Sequence, residues 1–257
     1  MEQVVAVSKK VDDAIARAAE SHRKSLKLNR RGLATVPAAM LDLRALTELQ
    51  LMGNRLVELP DEFARLEALE RIDLSDNQFT SFPSEVLSLP NLTCLELEDN
   101  SIDEIPVEIG QLEHLRELNL GRNPIDELPS VLGDLGQLRL LNISWSNLSE
   151  LPEFIANLQE LRVLNLASCP LSEFPRAVLD LPRLEQLNLA GCGLTSIPAE
   201  VSSLDQLWDL SLSFNNLTEL PATMSSMDRL SSLDVGENPG LEIPSSLRSK
   251  PTLALYY

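Results

Sequence analysis

The sequence contains little cysteine, histidine, aromatic residue or positive charge. Its 3 cysteines and 2 histidines form neither CxxC spacing nor a histidine cluster, which excludes a disulfide framework and a zinc-binding pattern. The 257 residues include 39 acidic and 21 basic side chains, and the resulting net charge of -18 repels phosphate backbones and anionic lipid. We therefore expect no nucleic-acid partner.

Long hydrophobic runs and catalytic motifs are also missing. No stretch reaches the ~20 apolar residues of a membrane span, and Lys9, Lys10, Asp12 and Asp13 interrupt the segment where a secretory signal would need an apolar run. No GxxxxGK[ST], HExxH or GxSxG motif is present. We expect a cytoplasmic protein that does not insert into membranes, is not an enzyme, has no catalytic residues and requires no metal or cofactor.

The sequence is rich instead in a repeat of 23 residues. Ten segments, beginning at residue 23 and continuing through residue 252, follow the pattern LxxLxLxxNxLxxLPxxxxxLxx without an insertion or deletion. Proline occupies position 15 of every repeat, and no proline falls within a predicted strand. The agreement of the prolines with the leucines supports this division of the chain.

The repeat predicts a solenoid. Aliphatic residues at positions 4 and 6, separated by one polar residue, are typical of a half-buried strand, and apolar residues at positions 18 and 21 indicate short helical turns. Stacked repeats bury a continuous core, and because the turns are wider than a strand the stack bends. We predict an α/β horseshoe with a parallel sheet on its concave side and short helical turns on its convex side.

Position 9 and the two chain ends have separate predicted roles. Asparagine at position 9 is expected to satisfy backbone groups in the turn after each strand, and Cys169 and Cys192 are interpreted as small buried substitutes for it.

The two ends of the chain are predicted to close the solenoid. Residues 1–22 are predicted to form an amphipathic capping helix, with a membrane-surface helix as the alternative. Residues 253–257 are predicted to form a partial strand. The apolar residues of the helix are Val4, Val7, Val11, Ala14, Ile15 and Ala18.

The pattern, seen in Leu46-Thr-Glu-Leu49-Gln-Leu51-Met-Gly-Asn54-Arg-Leu56-Val-Glu-Leu59-Pro60, resembles the leucine-rich repeats of cytoplasmic scaffolds of the SHOC, Ras-suppressor and Scribble type. The segment from Val4 through Val107 is similar to the leucine-rich repeat-containing protein 20 group. The resemblance implies a signalling role, with a small GTPase or another signalling protein bound on the concave face or its rims.

Charge divides the predicted concave face. Residues 1–45 hold nine basic and five acidic side chains, a balance of +4, so the remainder carries -22. Repeats two to four concentrate like charge on neighbouring strands. This arrangement is destabilising, which suggests that these side chains have a function. We name this set the acidic patch and consider a basic partner segment, a cation or mere solvation as explanations. Its candidate binding residues are Arg71, Asp73, Glu96, Glu98 and Asp99.

Repeats six to nine are predicted to present a neutral surface with aromatic side chains, which we name the aromatic patch. Its candidate binding residues are Trp145, Trp208, Phe214, Asn142, Asn165 and Asn188. The aromatic residues either anchor a partner or fold down onto neighbouring turns. The asparagines either belong to the repeat pattern or bind an extended peptide through amides spaced ~4.8 Å apart.

These features favour a non-enzymatic module that binds a protein or peptide on its concave face. The alternative is an architectural or engineered repeat scaffold with no dedicated ligand, which the absence of insertions and deletions supports slightly. The sequence gives no prediction of the oligomeric state.

Overall fold

The computed structural model describes residues 2–257, with side chains described from residue 9 onward. Eleven parallel strands, each three residues long, form one sheet in the order of the chain. Neighbouring strands pair with an offset of 23 residues, as in Leu26↔Leu49, except that Leu233 pairs with Leu255. The strands are β1 Ser25–Lys27, β2 Glu48–Gln50, β3 Arg71–Asp73, β4 Cys94–Glu96, β5 Glu117–Asn119, β6 Leu140–Asn142, β7 Val163–Asn165, β8 Gln186–Asn188, β9 Asp209–Ser211, β10 Ser232–Asp234 and β11 Ala254–Tyr256.

A short helix follows the proline at position 15 of each repeat. The proline carbonyl accepts a hydrogen bond from the N–H three residues later, as from Met40 to Pro37 at 2.9 Å, which is the 3-10 pattern. The fixed φ of proline suits the entry into such a helix. Nine are 3-10 helices, namely Ala38–Asp42, Asp61–Arg65, Ser84–Ser88, Val107–Gln111, Ser130–Asp134, Glu153–Asn157, Arg176–Asp180, Ala199–Ser203 and Ala222–Ser226, and the tenth is the α-helix α2, Ser245–Arg248.

The core is continuous along the solenoid, because the inward leucines of each repeat pack on those of the next. Leu49, Leu118 and Leu187 at position 4 are almost fully buried, as are Leu51 and Leu120 at position 6. The predicted α/β leucine-rich repeat solenoid is therefore confirmed, with a parallel sheet and short helical turns.

The position-9 side chains bond to backbone groups of two neighbouring repeats. Asn123 donates from Nδ2 to the carbonyls of Leu97 at 2.9 Å and Leu120 at 3.0 Å, and its Oδ1 accepts from the N–H of Ile102 at 3.0 Å. Cys169 and Cys192 donate from Sγ to the equivalent carbonyls, those of Ile143 at 3.2 Å and Leu166 at 3.1 Å. Both cysteines are buried, so the interpretation of them as substitutes for asparagine is confirmed.

The helix α1, Glu2–Glu20, packs against β1. Val11, Ile15 and Ala18 are buried and Ala14 is partly buried, whereas the side chains of Val4 and Val7 lie outside the described part. Among the described residues, no helix combines the length and the apolar character needed to cross a membrane. At the other end, β11 pairs with β10 where a partial strand is predicted.

Candidate interaction surface

Position 8, three residues after each strand, has a left-handed backbone in all ten repeats. The φ angle is +55° at Arg30, +59° at Trp145 and +56° at Phe214. Glycine occupies this position only in repeats two and eight, as Gly53 and Gly191. Its N–H donates to a carbonyl of the next repeat, as Trp145 does to Ala167 at 2.7 Å, so the stack imposes this conformation. Because a Cβ makes a left-handed backbone unfavourable by roughly 1–2 kcal/mol, a bulky side chain here needs a reason.

Two of the three candidate aromatic residues occupy this left-handed position. Trp145 is 56% exposed and Phe214 is 67% exposed, so they do not fold down onto neighbouring turns. They lie three strands apart in one column, which corresponds to roughly 14 Å. Trp208 is 40% exposed but directly precedes β9, at the opposite margin of the sheet. The structure therefore brings Trp145 and Phe214 to one margin of the aromatic patch and separates Trp208 from them.

Asn142, Asn165 and Asn188 are aligned on neighbouring strands. Each Oδ1 accepts from the backbone N–H two residues later, at 3.0 Å for Asn142, 3.1 Å for Asn165 and 3.0 Å for Asn188. The Nδ2 of Asn142 donates to Oδ1 of Asn119 at 2.8 Å. Within the described part of the chain, the Nδ2 groups of Asn165 and Asn188 have no acceptor. The asparagines thus have a structural role through oxygen, and two of them retain donors that an extended peptide could use.

The acidic patch borders a shallow cavity of about 360 Å³ over β2 to β4. Arg71, Asp73, Glu96 and Glu98 line it, whereas Asp99 lies outside the lining, at an exposed left-handed position 8. Asp73 and Glu96 are directly paired across β3 and β4, so the expected adjacency of like charge is present.

Internal partners offset much of that charge. Arg71 reaches across β4 to Glu117, with Nη2 and Oε2 2.8 Å apart. Glu98 accepts a hydrogen bond from Nδ2 of Asn119 at 3.0 Å and lies 3.7 Å from Nε of Arg122. The hydrogen bond from Arg71 lowers the pKa of Glu117 below its ordinary value. The like charge that the sequence concentrates here is therefore partly offset within the protein, by Arg71 reaching two strands away and by Arg122 in the next repeat.

One group beside the acidic patch has metal-ligand spacing. The ligand atoms of Cys94, Glu96 and Glu117 lie within 4.8 Å of one another. Burial raises the pKa of the Cys94 thiol, with a further contribution from the charge of Glu96, so the thiol is held protonated. Arg71 already engages Glu117, and a cation at this point would have to compete with its guanidinium.

Arg122 is a site residue that the sequence reasoning missed. It occupies position 8 of repeat five, and its guanidinium lies over the ring of Trp145, 4.9 Å from the centroid. Its second contact, to Glu98, links the acidic patch to the aromatic patch. The signal was available, since Arg122 and Trp145 occupy the same position of successive repeats and are therefore neighbours in the stack.

Family profiles identify the repeats. A profile described as leucine rich repeat matches residues 24–79, 44–102 and 182–239, and one described as leucine-rich repeat region matches residues 84–169. Because these matches cover well over half of the chain, it belongs to the leucine-rich repeat family. No curated protein sequence matches the chain.

Solved structures share the fold at moderate identity. A leucine-rich repeat protein of Leptospira interrogans is 30% identical, with a TM-score of 0.80 over 91% of this chain and 66% of that one. The Arabidopsis receptor kinase HAESA, solved with the peptide hormone IDA and the co-receptor SERK1, is 29% identical, with a TM-score of 0.78 over 92% and 46%. The plant peptide hormone receptor RGFR1, in complex with RGF2, is 30% identical, with a TM-score of 0.73 over 90% and 38%. The chain thus spans 38% to 66% of these structures' lengths.

Proposed function

We propose that this protein is a non-enzymatic interaction module that binds an extended segment of a protein partner across its concave face. The observation that carries the proposal is the placement of Trp145 and Phe214 at left-handed positions, exposed to solvent. Glycine relieves the strain at this turn in two other repeats, so a large ring here is a structural disadvantage. Exposed aromatic side chains that the fold does not need are typical of interface anchors.

The spacing of the aromatic patch fits an extended segment. The two rings are roughly 14 Å apart, which four or five extended residues span. Between them, Asn165 and Asn188 offer amide donors to backbone carbonyls of such a segment. Peptide hormones accompany two of the similar receptor structures, which supports a peptide-binding role for this chain.

The acidic patch is the proposed site for a basic part of the same partner. Asp73 and Glu96 lie side by side on the cavity, and neither forms a salt bridge among the described residues. A Lys or Arg side chain of the partner there would relieve their repulsion. The resemblance to cytoplasmic scaffolds of the SHOC, Ras-suppressor and Scribble type extends the proposal to a cytoplasmic location, and to a small GTPase or another signalling protein as the partner. In this proposal, α1 and β11 cap the two ends of the repeats.

The experiment begins with selection of peptide ligands for the full chain from a random peptide display library. The dissociation constants of the selected peptides are then measured for the wild type, Trp145→Gly, Phe214→Gly and the control Ser168→Gly. Ser168 has φ +60° in the same column, so its variant changes the turn in the same way without removing a ring. We expect the aromatic variants to weaken binding by more than about tenfold and the control by less than about twofold.

Two results would contradict the proposal. One is equal affinity for all four proteins, which would place the bound peptides elsewhere. The other is failure to enrich any ligand in repeated selections, which would favour the architectural or engineered scaffold. For peptides with a basic segment, affinity that does not change between low and physiological salt would refute the role of the acidic patch.

A further inference from the structure

The N-terminal end of the molecule contains a cavity that the proposed peptide surface does not include. It lies between α1 and β1 and measures about 710 Å³, within the range of roughly 300–1,000 Å³ found for small-molecule sites. Six basic side chains line it, two from α1 and four from the first repeat: Lys10, Arg17, Arg23, Lys24, Lys27 and Arg31. All six side chains are exposed to solvent, and the packing of α1 against β1 places the segments that carry them side by side.

Within residues 9–257, whose side chains the structure describes, these cations have no acidic partner in the cavity. Among the described residues, no acidic side chain lines the cavity, and none of the six cations forms an ion pair. By contrast, five arginines elsewhere in the chain pair with glutamates, as Arg162 does with Glu185 at 2.7 Å. In a protein with 39 acidic and 21 basic side chains, a cavity with six cations and no acid is therefore a local reversal of charge. Such convergence of like charge opposes folding and is relieved when an anion binds.

The size of the cavity favours a compact anion over an acidic peptide. A cube of this volume is about 9 Å on a side, which three extended residues span, and such a segment brings at most three carboxylates. A small molecule with several phosphoryl groups brings a comparable number of charges to the six cations. Arginine guanidinium groups also match phosphoryl oxygens in pairs.

We propose that the cavity between α1 and β1 binds a compact anion that carries several phosphoryl groups. Nε of Arg17 donates to the carbonyl of Asp13 at 3.0 Å, so this arginine binds the anion through its two Nη groups. Arg23 and Arg31 from the first repeat also donate paired hydrogen bonds. The lysines Lys10, Lys24 and Lys27 supply charge, and Ser25 lines the cavity with a hydroxyl donor. This site is separate from the acidic and aromatic patches, so it stands or fails independently of the peptide-binding proposal.

The test is calorimetric titration of the full chain at physiological salt with inorganic tripolyphosphate and with inositol hexakisphosphate. The variant Arg17→Gln/Arg23→Gln removes two cations from the cavity. The matched control Arg116→Gln/Arg139→Gln makes the same chemical change at two exposed arginines outside the cavity. We expect the cavity variant to weaken binding by at least about tenfold, since hydrogen bonds to charged groups are lost. The control is expected to change binding by less than about threefold, since salt screens distant charges.

Two further arms identify the source of the phosphoryl groups and the competing ligand class. Vesicles with phosphatidylinositol bisphosphate, compared with vesicles with phosphatidylserine alone, show whether a lipid headgroup binds better than the soluble compounds; either source supports the proposal. A hexaglutamate peptide tests carboxylates. Three results would overturn the proposal: no binding of either phosphoryl compound, equal losses in the cavity and control variants, or binding of hexaglutamate as tight as that of inositol hexakisphosphate.

Discussion

The acidic patch and the aromatic patch lie on the same repeat backbone but differ in how many of their side chains form ion pairs or hydrogen bonds with one another. In the acidic patch, Arg71 pairs with Glu117, and Glu98 is engaged by Asn119 and Arg122. In the aromatic patch, small residues replace the long ones, and the rings of Trp145 and Phe214 remain exposed. The difference teaches that a conspicuous charge pattern can be partly offset by ion pairs within the protein, while a neutral surface can leave large aromatic rings exposed to solvent.

The patches also differ beneath the surface, at position 9. Asparagines of repeats two to five bond through both ends of the amide, whereas repeats six to eight carry Ser146, Cys169 and Cys192. In repeats five and seven the turn also closes through a backbone bond, from the N–H of Ile125 to the carbonyl of Asn123 and from the N–H of Leu171 to the carbonyl of Cys169, both at 2.8 Å. The turn therefore forms with fewer side-chain hydrogen bonds in repeats six to eight, whereas in repeat nine Asn215 again bonds through both ends of its amide.

The largest expected effect concerns the reactivity of the thiols. It tests whether Cys94, in the region of the acidic patch, is as unreactive as Cys169 and Cys192, in the region of the aromatic patch. Burial raises the pKa of Cys192 to about 12 from 9.0, which lowers its thiolate fraction at pH 8 by about a thousandfold. Burial also raises the pKa values of Cys94 and Cys169. Reaction of Cys192 with a disulfide reagent should therefore be about a thousand times slower in the native than in the unfolded protein, and Cys94 and Cys169 should also be slowed. A fast-reacting Cys94, identified by mass spectrometry, would show that the acidic patch opens.

Substitutions at position 9 compare a turn that contains asparagine with one that contains cysteine. Asn123→Ala leaves the carbonyls of Leu97 and Leu120 and the N–H of Ile102 without their side-chain partner in a buried turn. We expect the free energy of unfolding to fall by about 2–4 kcal/mol. Cys169→Ala removes a weaker sulfur donor and should lower it by about 1 kcal/mol. Urea titration of both variants measures the difference. Equal losses would mean that the asparagine and the cysteine contribute alike to the free energy of unfolding.

A pH titration tests the internal pairing of the acidic patch. The pKa of Glu117 is lowered in the folded state, so the stabilisation from Arg71 is present above the ordinary value of 4.5 and is lost as the pH falls below it. We expect Arg71→Gln to reduce the free energy of unfolding by under about 1 kcal/mol at pH 7, because both side chains are partly exposed. The two proteins should converge as the pH falls through the lowered pKa of Glu117 in the folded state. A difference that persists below that pKa would assign the effect to packing.

The smallest effect concerns backbone strain in the aromatic patch. Phe214→Gly relieves an unfavourable φ but adds freedom to the unfolded chain, so we expect a gain of about 0.5–1 kcal/mol. Trp145→Gly also loses the contact with Arg122, and its effect should be near zero. Thermal unfolding of both variants and of Ser168→Gly measures this. A marked loss of stability in Phe214→Gly would mean that the ring supports the fold.

Several site properties were predictable because they depend on one position of the repeat. The alternation of positions 4 and 6 predicts burial of Leu49 and Leu51, and the same register predicts exposure of Trp145. The substitution of Asn by Cys192 was interpretable because both side chains can donate to the carbonyl of the preceding turn. The binding roles of the site residues remain predictions, since they depend on a partner.

Other properties depend on atoms that come together only in three dimensions. The pair Arg71–Glu117 joins residues 46 apart across an intervening strand, and the guanidinium of Arg122 lies over the ring of Trp145 in the next repeat. The left-handed backbone of position 8 was not predictable from residue type, because Arg122, Trp145 and Phe214 are unsuited to it. The hydrogen bond from the N–H of position 8 to a carbonyl of the next repeat overrides that local preference.

The sequence by itself determined the solenoid, its register and its buried residues, because the 23-residue period places each side chain in the same environment ten times. Only the tertiary structure decided which charges are free. It pairs arginines with glutamates over the acidic patch, yet it packs α1 beside β1 so that Arg17 and Lys27 line one cavity without an acid among the described lining residues. Electrostatic pairing depends on distances of a few ångströms between distant segments, and a repeat pattern does not specify them.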